Sequence, residues 1–102
     1  MSLKKQYLKA QDICKVTFRL SREEAQGAGE AHLVGEFNGW DPSATPMKKL
    51  KSGEFTVTQP LQPGRTYAYR YLLDRGRWCN DGAADAYAPS GVSAEENSLV
   101  QV

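Results

Sequence analysis

The residues best suited to chemistry in this sequence are two tryptophans that each follow a turn. Trp40 comes directly after Asn38-Gly39, a pair that tolerates positive φ, and directly before the turn signal Asp41-Pro42. Trp78 follows the chain reversal at 74–76. An indole at the rim of a sheet either packs over the sheet edge or is offered to a ligand with an apolar face. We expect the second role for both rings, with packing as the alternative.

Residue types that support catalysis or metal binding are scattered. His32 is the single histidine, and it lies in a predicted strand with no serine or cysteine motif beside it. Cys14 and Cys79 are far apart, so the paired spacing of a zinc site is missing. Asp74 and Asp81 sit in or beside turns, where aspartate is common for backbone reasons. We therefore expect no enzymatic activity, no metal ion and no cofactor.

Size and charge exclude several classes of protein. The 102 residues suffice for one domain, and a net charge of +1 provides no strong attraction to nucleic acid or to an anionic membrane. The first residues carry charges without the apolar region of a secretion signal. We therefore expect a cytoplasmic protein in which both cysteines are reduced. A bridge between Cys14 and Cys79 is the alternative.

Alternating apolar and polar residues predict about seven short strands and no convincing helix, the pattern of an immunoglobulin-like β-sandwich. The predicted strands lie at 14–20, 31–37, 45–50, 54–58, 65–73, 77–79 and 98–102. Ser21, with Glu24 three residues later, predicts one capped helical turn. Residues 1–12 are expected to form an arm, either loose or with one helical turn, and 13–102 the domain.

The hairpin after the longest strand decides which sheet face Trp78 occupies. A three-residue loop at 74–76 pairs Leu72 with Trp78, and alternation then places the indole on the face of Arg70. A two-residue turn would pair Trp78 with Leu73 inside the core. We prefer the first register, because Gly76 supplies the left-handed glycine that a three-residue loop needs at its last position. The opposite face, in addition, already carries a large aromatic volume. The residues of that face are Tyr67, Tyr69 and Tyr71.

Three blocks of the sequence together resemble a known family. They are 34–40, then 69–71 with 74–78, and finally 97–102. The chain is similar to the starch- and glycogen-binding module at the N-terminus of isoamylases and glycogen branching enzymes. It also resembles the glycogen-binding domain of the AMP-activated kinase β subunit. The resemblance extends over 13–102, which is almost the whole chain.

The resemblance implies an immunoglobulin-like β-sandwich of the early-set type that binds α-1,4-linked glucan. It implies that Trp40 stacks on a glucose ring, that Arg70 hydrogen-bonds sugar hydroxyls, and that Trp78 and Asn97 complete the site. The loop before Asn97 lacks the leucine of the kinase version, and Val92 is the apolar residue that stands nearest to that role.

The resulting hypothesis is a non-catalytic carbohydrate-binding module for glycogen or starch. Its expected partners are an α-glucan polysaccharide and a glycogen-metabolising enzyme, without nucleic acid or membrane. The alternative is a protein-interaction domain of the same fold with a degenerate sugar site, which docks on such an enzyme or associates with itself.

Overall fold

Two antiparallel β-sheets make up the fold. The computed structural model describes residues 3–74, 76–82, 84–89 and 96–102. Sheet 1 has the strand order β1-β2-β5-β4, and sheet 2 has the order β3-β6-β9-β8 with β7 also paired to β6. The strands are β1 Leu3–Leu8, β2 Ile13–Leu20, β3 Ala31–Gly35, β4 Lys48–Lys49, β5 Phe55–Leu61, β6 Thr66–Leu73, β7 Arg77–Cys79, β8 Ala86–Pro89 and β9 Glu96–Gln101.

The core lies between the two sheets. Every second side chain of β2 is buried, as its alternating sequence predicts, and Phe18 from that strand meets Tyr69 of β6. Their ring centroids are 5.0 Å apart in an edge-to-face arrangement. Tyr71 and Leu73 are buried on the same face of β6. The predicted all-β sandwich is therefore confirmed, with the tyrosine face of β6 turned inward.

Across its described residues the structure has nine strands, where the alternation predicted about seven. β1 falls in the stretch expected to be a loose arm or a helical turn, and it pairs along its whole length with β2. β8 lies in the long segment before β9, and that segment was expected to form a loop. Both are edge strands, which carry lysine or proline more readily than central strands and so give a weak pattern. The division into an arm and a domain at residue 12 stays a prediction.

A short helix, α1 (Arg22–Ala25), follows β2 where one helical turn was predicted. Ser21 Oγ accepts the Glu24 backbone N–H at 3.1 Å, and Glu24 Oε1 accepts the Ser21 N–H at 3.2 Å. This reciprocal capping box satisfies N–H groups that a helix start leaves unpaired. Gln26 then ends the helix in the left-handed conformation.

The segment 45–49 links the two sheets. The Leu33 N–H donates to Thr45 O at 2.9 Å, and the Met47 N–H donates to Ala31 O at 2.9 Å, so the segment runs beside β3. Two residues later the chain pairs with β5 as strand β4. The predicted short edge piece is thus present, and it covers the outer edge of β3.

A buried carboxylate connects the interior of sheet 2. Asp81 is fully buried, and its Oδ2 accepts the hydroxyls of Tyr69 at 2.7 Å and Tyr71 at 3.2 Å. Its backbone N–H donates to Ser98 Oγ at 2.8 Å. Asp81 does lie in a turn, as expected, since its carbonyl accepts the Ala84 N–H at 3.4 Å. Its side chain has a further role that the sequence did not indicate, because it accepts hydrogen bonds inside the core. Its carboxylate supplies the acceptor that two buried phenols require.

Two further expectations concern the cysteines and the membrane. Cys14 and Cys79 are both free thiols, and Cys14 is buried in the core. Within residues 3–74, 76–82, 84–89 and 96–102, no helix has the length and apolar character needed to cross a bilayer.

Replacing Gly35 by alanine is expected to destabilise the fold. A Cβ at this position would lie 2.7 Å from Ala68 O and 2.8 Å from Tyr69 Cβ, distances at which β3 and β6 must separate. We expect Gly35→Ala to lower the free energy of unfolding by about 1–3 kcal/mol, measured by urea denaturation. Gly29→Ala is the control, because its Cβ would lie at an ordinary 3.7 Å from Asp74 Oδ1. Equal stability of the two variants would contradict the close packing at Gly35.

Candidate functional site

The loop before Trp40 is held by the side chain of Asn38. Asn38 Oδ1 accepts the Gly35 N–H at 3.1 Å, while its Nδ2 donates to Leu33 O at 2.8 Å and to Thr45 Oγ1 at 3.0 Å. These bonds stabilise a 3-10 turn at Glu36–Asn38 directly after β3. From the sequence, Asn38 was expected only to form a turn. The wider role follows from its side-chain amide, which can donate and accept hydrogen bonds at the same time.

Trp40 adopts an unusual backbone conformation at the end of this loop. Gly39 has φ 67° and Trp40 itself has φ 60°, so two consecutive residues are left-handed. For a bulky residue this conformation is a genuine outlier and costs about 1–2 kcal/mol. The Trp40 N–H donates to Gly35 O at 2.9 Å, which fixes the residue at the end of β3. Its side chain remains exposed, with 39 % of the residue accessible.

Trp78 lies on the outer face of sheet 2, in the register that the three-residue loop predicted. The expectation that Gly76 is left-handed was wrong, because the described residue of this loop with positive φ is Asp74, at 48°. Leu72 pairs with Trp78 and Leu73 pairs with Arg77 in the β6–β7 hairpin. The core face of β6 is the opposite one, since Leu73 is buried there. Trp78 is 49 % exposed. The alternative register, with the indole in the core, is therefore excluded.

Asp74 anchors the hairpin that carries Trp78. It is left-handed with φ 48°, and its Oδ1 accepts the N–H groups of Gly29 at 2.9 Å and Glu30 at 3.1 Å. These two backbone hydrogen bonds lower the pKa of the Asp74 carboxyl, and the neighbouring Arg77 guanidinium adds to the effect. Asp74 is thus a positioning residue and not only a turn former. The positioning role of Asp74 was not predicted, because its partners Gly29 and Glu30 are remote in sequence.

Arg70 and Asn97 meet on the same outer face. Arg70 Nε donates to Asn97 Oδ1 at 2.9 Å across the β6–β9 pair. Both residues are partly buried, so each retains some accessible surface. Arg70 precedes Leu72 by two positions and therefore shares the face of Trp78. The structure thus places Arg70, Asn97 and Trp78 on one sheet face, with Trp40 at the end of the adjacent strand β3.

The centre of this face is apolar. Val34 pairs with Arg70, His32 pairs with Leu72, and all but Arg70 are buried. Val34 and Leu72 therefore give this face two buried apolar positions, which strict alternation did not predict. His32 is a strand residue, as expected; it is buried, and its Nδ1 has no hydrogen-bond partner among the described residues. Val92, in the loop before Asn97, falls outside the described residues.

The groups near Trp78 are poorly suited to nucleophilic chemistry. Burial raises the pKa of the Cys79 thiol to about 11, and the negative charges of Glu24 and Asp81 add to this effect. The thiol therefore stays protonated at neutral pH. No group of three or more His, Cys, Asp or Glu side chains that could hold a metal ion occurs in the described part of the chain.

Comparison with known families matches residues 8–88 to carbohydrate-binding module 48, the isoamylase N-terminal domain. The chain belongs to the carbohydrate-binding module 48 family. The match extends over most of the 102 residues and includes Trp40, Arg70 and Trp78, whereas Asn97 lies beyond it. The resemblance noted in the sequence is therefore confirmed at the level of the family.

Curated relatives of this carbohydrate-binding module are branching enzymes. The chain is 51 % identical over 43 residues to a 1,4-alpha-glucan-branching enzyme of Aspergillus oryzae, which is 42 % of this chain and 6 % of that protein. It is 38 % identical over 55 residues to the 1,4-alpha-glucan branching enzyme GlgB of Butyrivibrio fibrisolvens, which is 52 % of this chain and 9 % of that enzyme. The matched region is thus a small fraction of each relative's length.

Substitutions at Trp40 are expected to separate the strain of the backbone from the size of the side chain. Glycine adopts positive φ without steric cost, whereas alanine retains the strain. We expect Trp40→Gly to be more stable than Trp40→Ala by about 1 kcal/mol, measured as the difference in urea midpoints at equal m-values. A Trp40→Ala protein as stable as Trp40→Gly would contradict the left-handed conformation of this residue.

Removing the Asp74 carboxylate is expected to destabilise the protein in a pH-dependent manner. The pKa of Asp74 is lowered in the folded state, so its contribution to stability is present above the ordinary pKa of aspartate. That contribution is lost as the pH falls through the lowered pKa. We expect the melting temperature of Asp74→Ala to lie below that of the unmodified protein at pH 7, with the gap closing in acid. Asp74→Asn is the control, since an amide oxygen still accepts hydrogen bonds but does not titrate in this range. A gap that stays constant down to the acid limit would contradict the assignment.

Proposed function

We propose that this carbohydrate-binding module binds α-1,4-linked glucan across the outer face of sheet 2 and has no catalytic role. The observation that carries the proposal is the exposed Trp78 on the same face as the hydrogen-bonded pair Arg70 and Asn97. Trp40, whose N–H donates to Gly35 O at the end of β3, would extend this surface. The branching enzymes similar to this chain act on glucan by name, which favours glucan as the ligand.

The chemistry of a glucose ring matches these side chains. A pyranose presents an apolar face of C–H groups and a rim of hydroxyls. A flat indole covers the apolar face, as Trp40 and Trp78 would do. The guanidinium of Arg70 donates to hydroxyl oxygens, and the amide of Asn97 both donates and accepts. The hydrogen bond between Arg70 and Asn97 orients both groups before the sugar arrives, which lowers the ordering cost of binding.

Two stacked rings account for weak binding. Burying roughly 80 Å² of apolar surface per ring contributes about 2 kcal/mol at ~25 cal/mol/Å². Two rings contribute about 4 kcal/mol before ordering costs, which corresponds to a dissociation constant of order 1 mM for a short glucan. A long polymer offers many equivalent sites, so glycogen would retain the module much better than a short oligosaccharide does.

The strained conformation of Trp40 supports a binding role. A bulky left-handed residue persists only where the surrounding structure over-determines it, and such outliers cluster at functional sites. Glycine at this position would avoid the strain, so the indole itself is the feature that the loop maintains. The branching-enzyme relatives also favour a glycogen-metabolising enzyme as the protein partner. A cytoplasmic location completes the proposal.

Alanine substitution of the tryptophans is expected to abolish retention on glucan. We expect the unmodified protein to co-sediment with insoluble starch or glycogen, and Trp40→Ala and Trp78→Ala each to weaken binding roughly 30-fold, the equivalent of about 2 kcal/mol per ring. Titration of a cyclic glucan followed by indole fluorescence gives the same comparison in solution.

Tyr7→Ala is the matched control, because Tyr7 is an aromatic residue of sheet 1 that is 53 % exposed and lies away from this face. Retention by Tyr7→Ala equal to that of the unmodified protein, with loss in both tryptophan variants, supports the proposed surface. Absence of retention together with a concentration-dependent dimer would contradict it, and would favour the protein-interaction domain instead.

A further inference from the structure

A second site is formed by a basic hollow between α1 and the β4–β5 turn. This hollow of about 530 Å³ is lined by Arg22 of α1, by Lys49 and Lys51 of the turn region, and by small residues that leave room between them. The small residues include Ala25, Gly27 and Ala28. A volume of this size is in the range of small-molecule sites and is much larger than a single inorganic ion.

Two of the three cations are held in position by the fold. Lys49 Nζ donates to Ala28 O at 3.0 Å and lies 5.7 Å from the centre of the Phe55 ring. The stem of Arg22 lies against Gly53, because a Cβ at Gly53 would be only 3.1 Å from Arg22 Cγ. Glycine is required at this position, which also has φ +93°. Both side chains are thus ordered before any ligand arrives.

The positive charge of the hollow is not balanced from within. None of the described residues that line it carries a carboxylate, and neither Arg22 nor Lys51 forms an ion pair among the described residues. Two acidic residues adjoin the lining in sequence: Glu23 follows Arg22, and Glu54 follows Gly53 and accepts the Ser52 hydroxyl at 3.0 Å. Because neither of them lines the hollow, its three cations attract an external anion.

We propose that this hollow binds the phosphate monoester of a small polar molecule. A phosphate monoester carries a charge of about −1.5 to −2 at neutral pH and three strong acceptor oxygens, which match three cations better than a single carboxylate does. The guanidinium of Arg22 can bind two phosphate oxygens at once, and the lysines act as point charges. The remaining volume, lined by alanine and glycine, accommodates the organic part of the ligand.

This site is independent of the proposed glucan surface. It is built by α1 and by the turn between β4 and β5 of sheet 1, whereas Trp78, Arg70 and Asn97 belong to sheet 2. Failure of one proposal therefore leaves the other standing, and retention on glycogen can be measured separately in each variant.

The test is an NMR titration of the ¹⁵N-labelled protein at constant ionic strength. Inorganic phosphate, glucose 6-phosphate and glucose are each titrated into a separate sample. We expect saturating amide shifts confined to 22–28 and 49–53, with glucose 6-phosphate binding more tightly than phosphate and glucose causing no shifts there. The double variant Arg22→Gln, Lys51→Gln is expected to raise the dissociation constant roughly tenfold or more, because charge-assisted hydrogen bonds are lost.

The double variant Lys15→Gln, Arg19→Gln is the matched control. It removes the same charge from exposed positions of β2 outside the hollow, so it reports the effect of net charge alone. Unchanged affinity in this control supports a specific site. Equal weakening in both double variants, or shifts spread over all exposed lysines and arginines, would overturn the proposal. Equal affinity for phosphate and glucose 6-phosphate would contradict the proposal that the hollow also binds the organic part of the ligand.

Discussion

One buried carboxylate joins the elements on which the proposed sugar-binding face depends. Asp81 accepts the hydroxyls of Tyr69 and Tyr71, donates its N–H to Ser98, and accepts the Tyr87 hydroxyl at its own carbonyl. Burial and the Asp81 charge raise the pKa values of Tyr69 and Tyr71, so both phenols remain donors at neutral pH. This cluster connects β6, β8 and β9 from the inside. The outer face of sheet 2 is therefore presented by strands whose spacing is fixed beneath it.

The two tryptophans reach this face by different means. Trp78 stands on a regular strand, and its direction follows from the pleat of the β6–β7 hairpin. Trp40 stands on a loop, and hydrogen bonds of Asn38 together with a strained backbone determine its place. Regular structure needs no special conformation to aim a side chain, whereas a loop needs several polar contacts to achieve the same precision.

The sequence was sufficient for those features that depend on local spacing. Alternation gave the sandwich, the serine and glutamate of the capping box gave α1, and a three-residue loop gave the register of Trp78. Features that depend on distant partners were not predictable. Nothing around Asp81 indicates that two tyrosines will donate to it, and nothing around Asp74 indicates that it will bind Gly29 and Glu30. The strands β1 and β8 were not predicted, because an edge strand pairs with only one neighbouring strand and tolerates almost any polar composition.

The clamp formed by Asp74 has a consequence for how this fold can vary. Because Asp74 accepts the N–H groups of Gly29 and Glu30, its hydrogen bonds tie the β2–β3 connection directly to the Trp78 hairpin. Arg77 strengthens the same link by donating to Asp74 at 3.3 Å and to Gln26 at 3.5 Å. Insertions or deletions at 26–30 would therefore change the direction of the Trp78 indole, although Trp78 lies far from this connection in the sequence. In related modules, the length of the β2–β3 connection would then influence which polysaccharide shape fits the proposed sugar-binding face, although this connection lies outside that face.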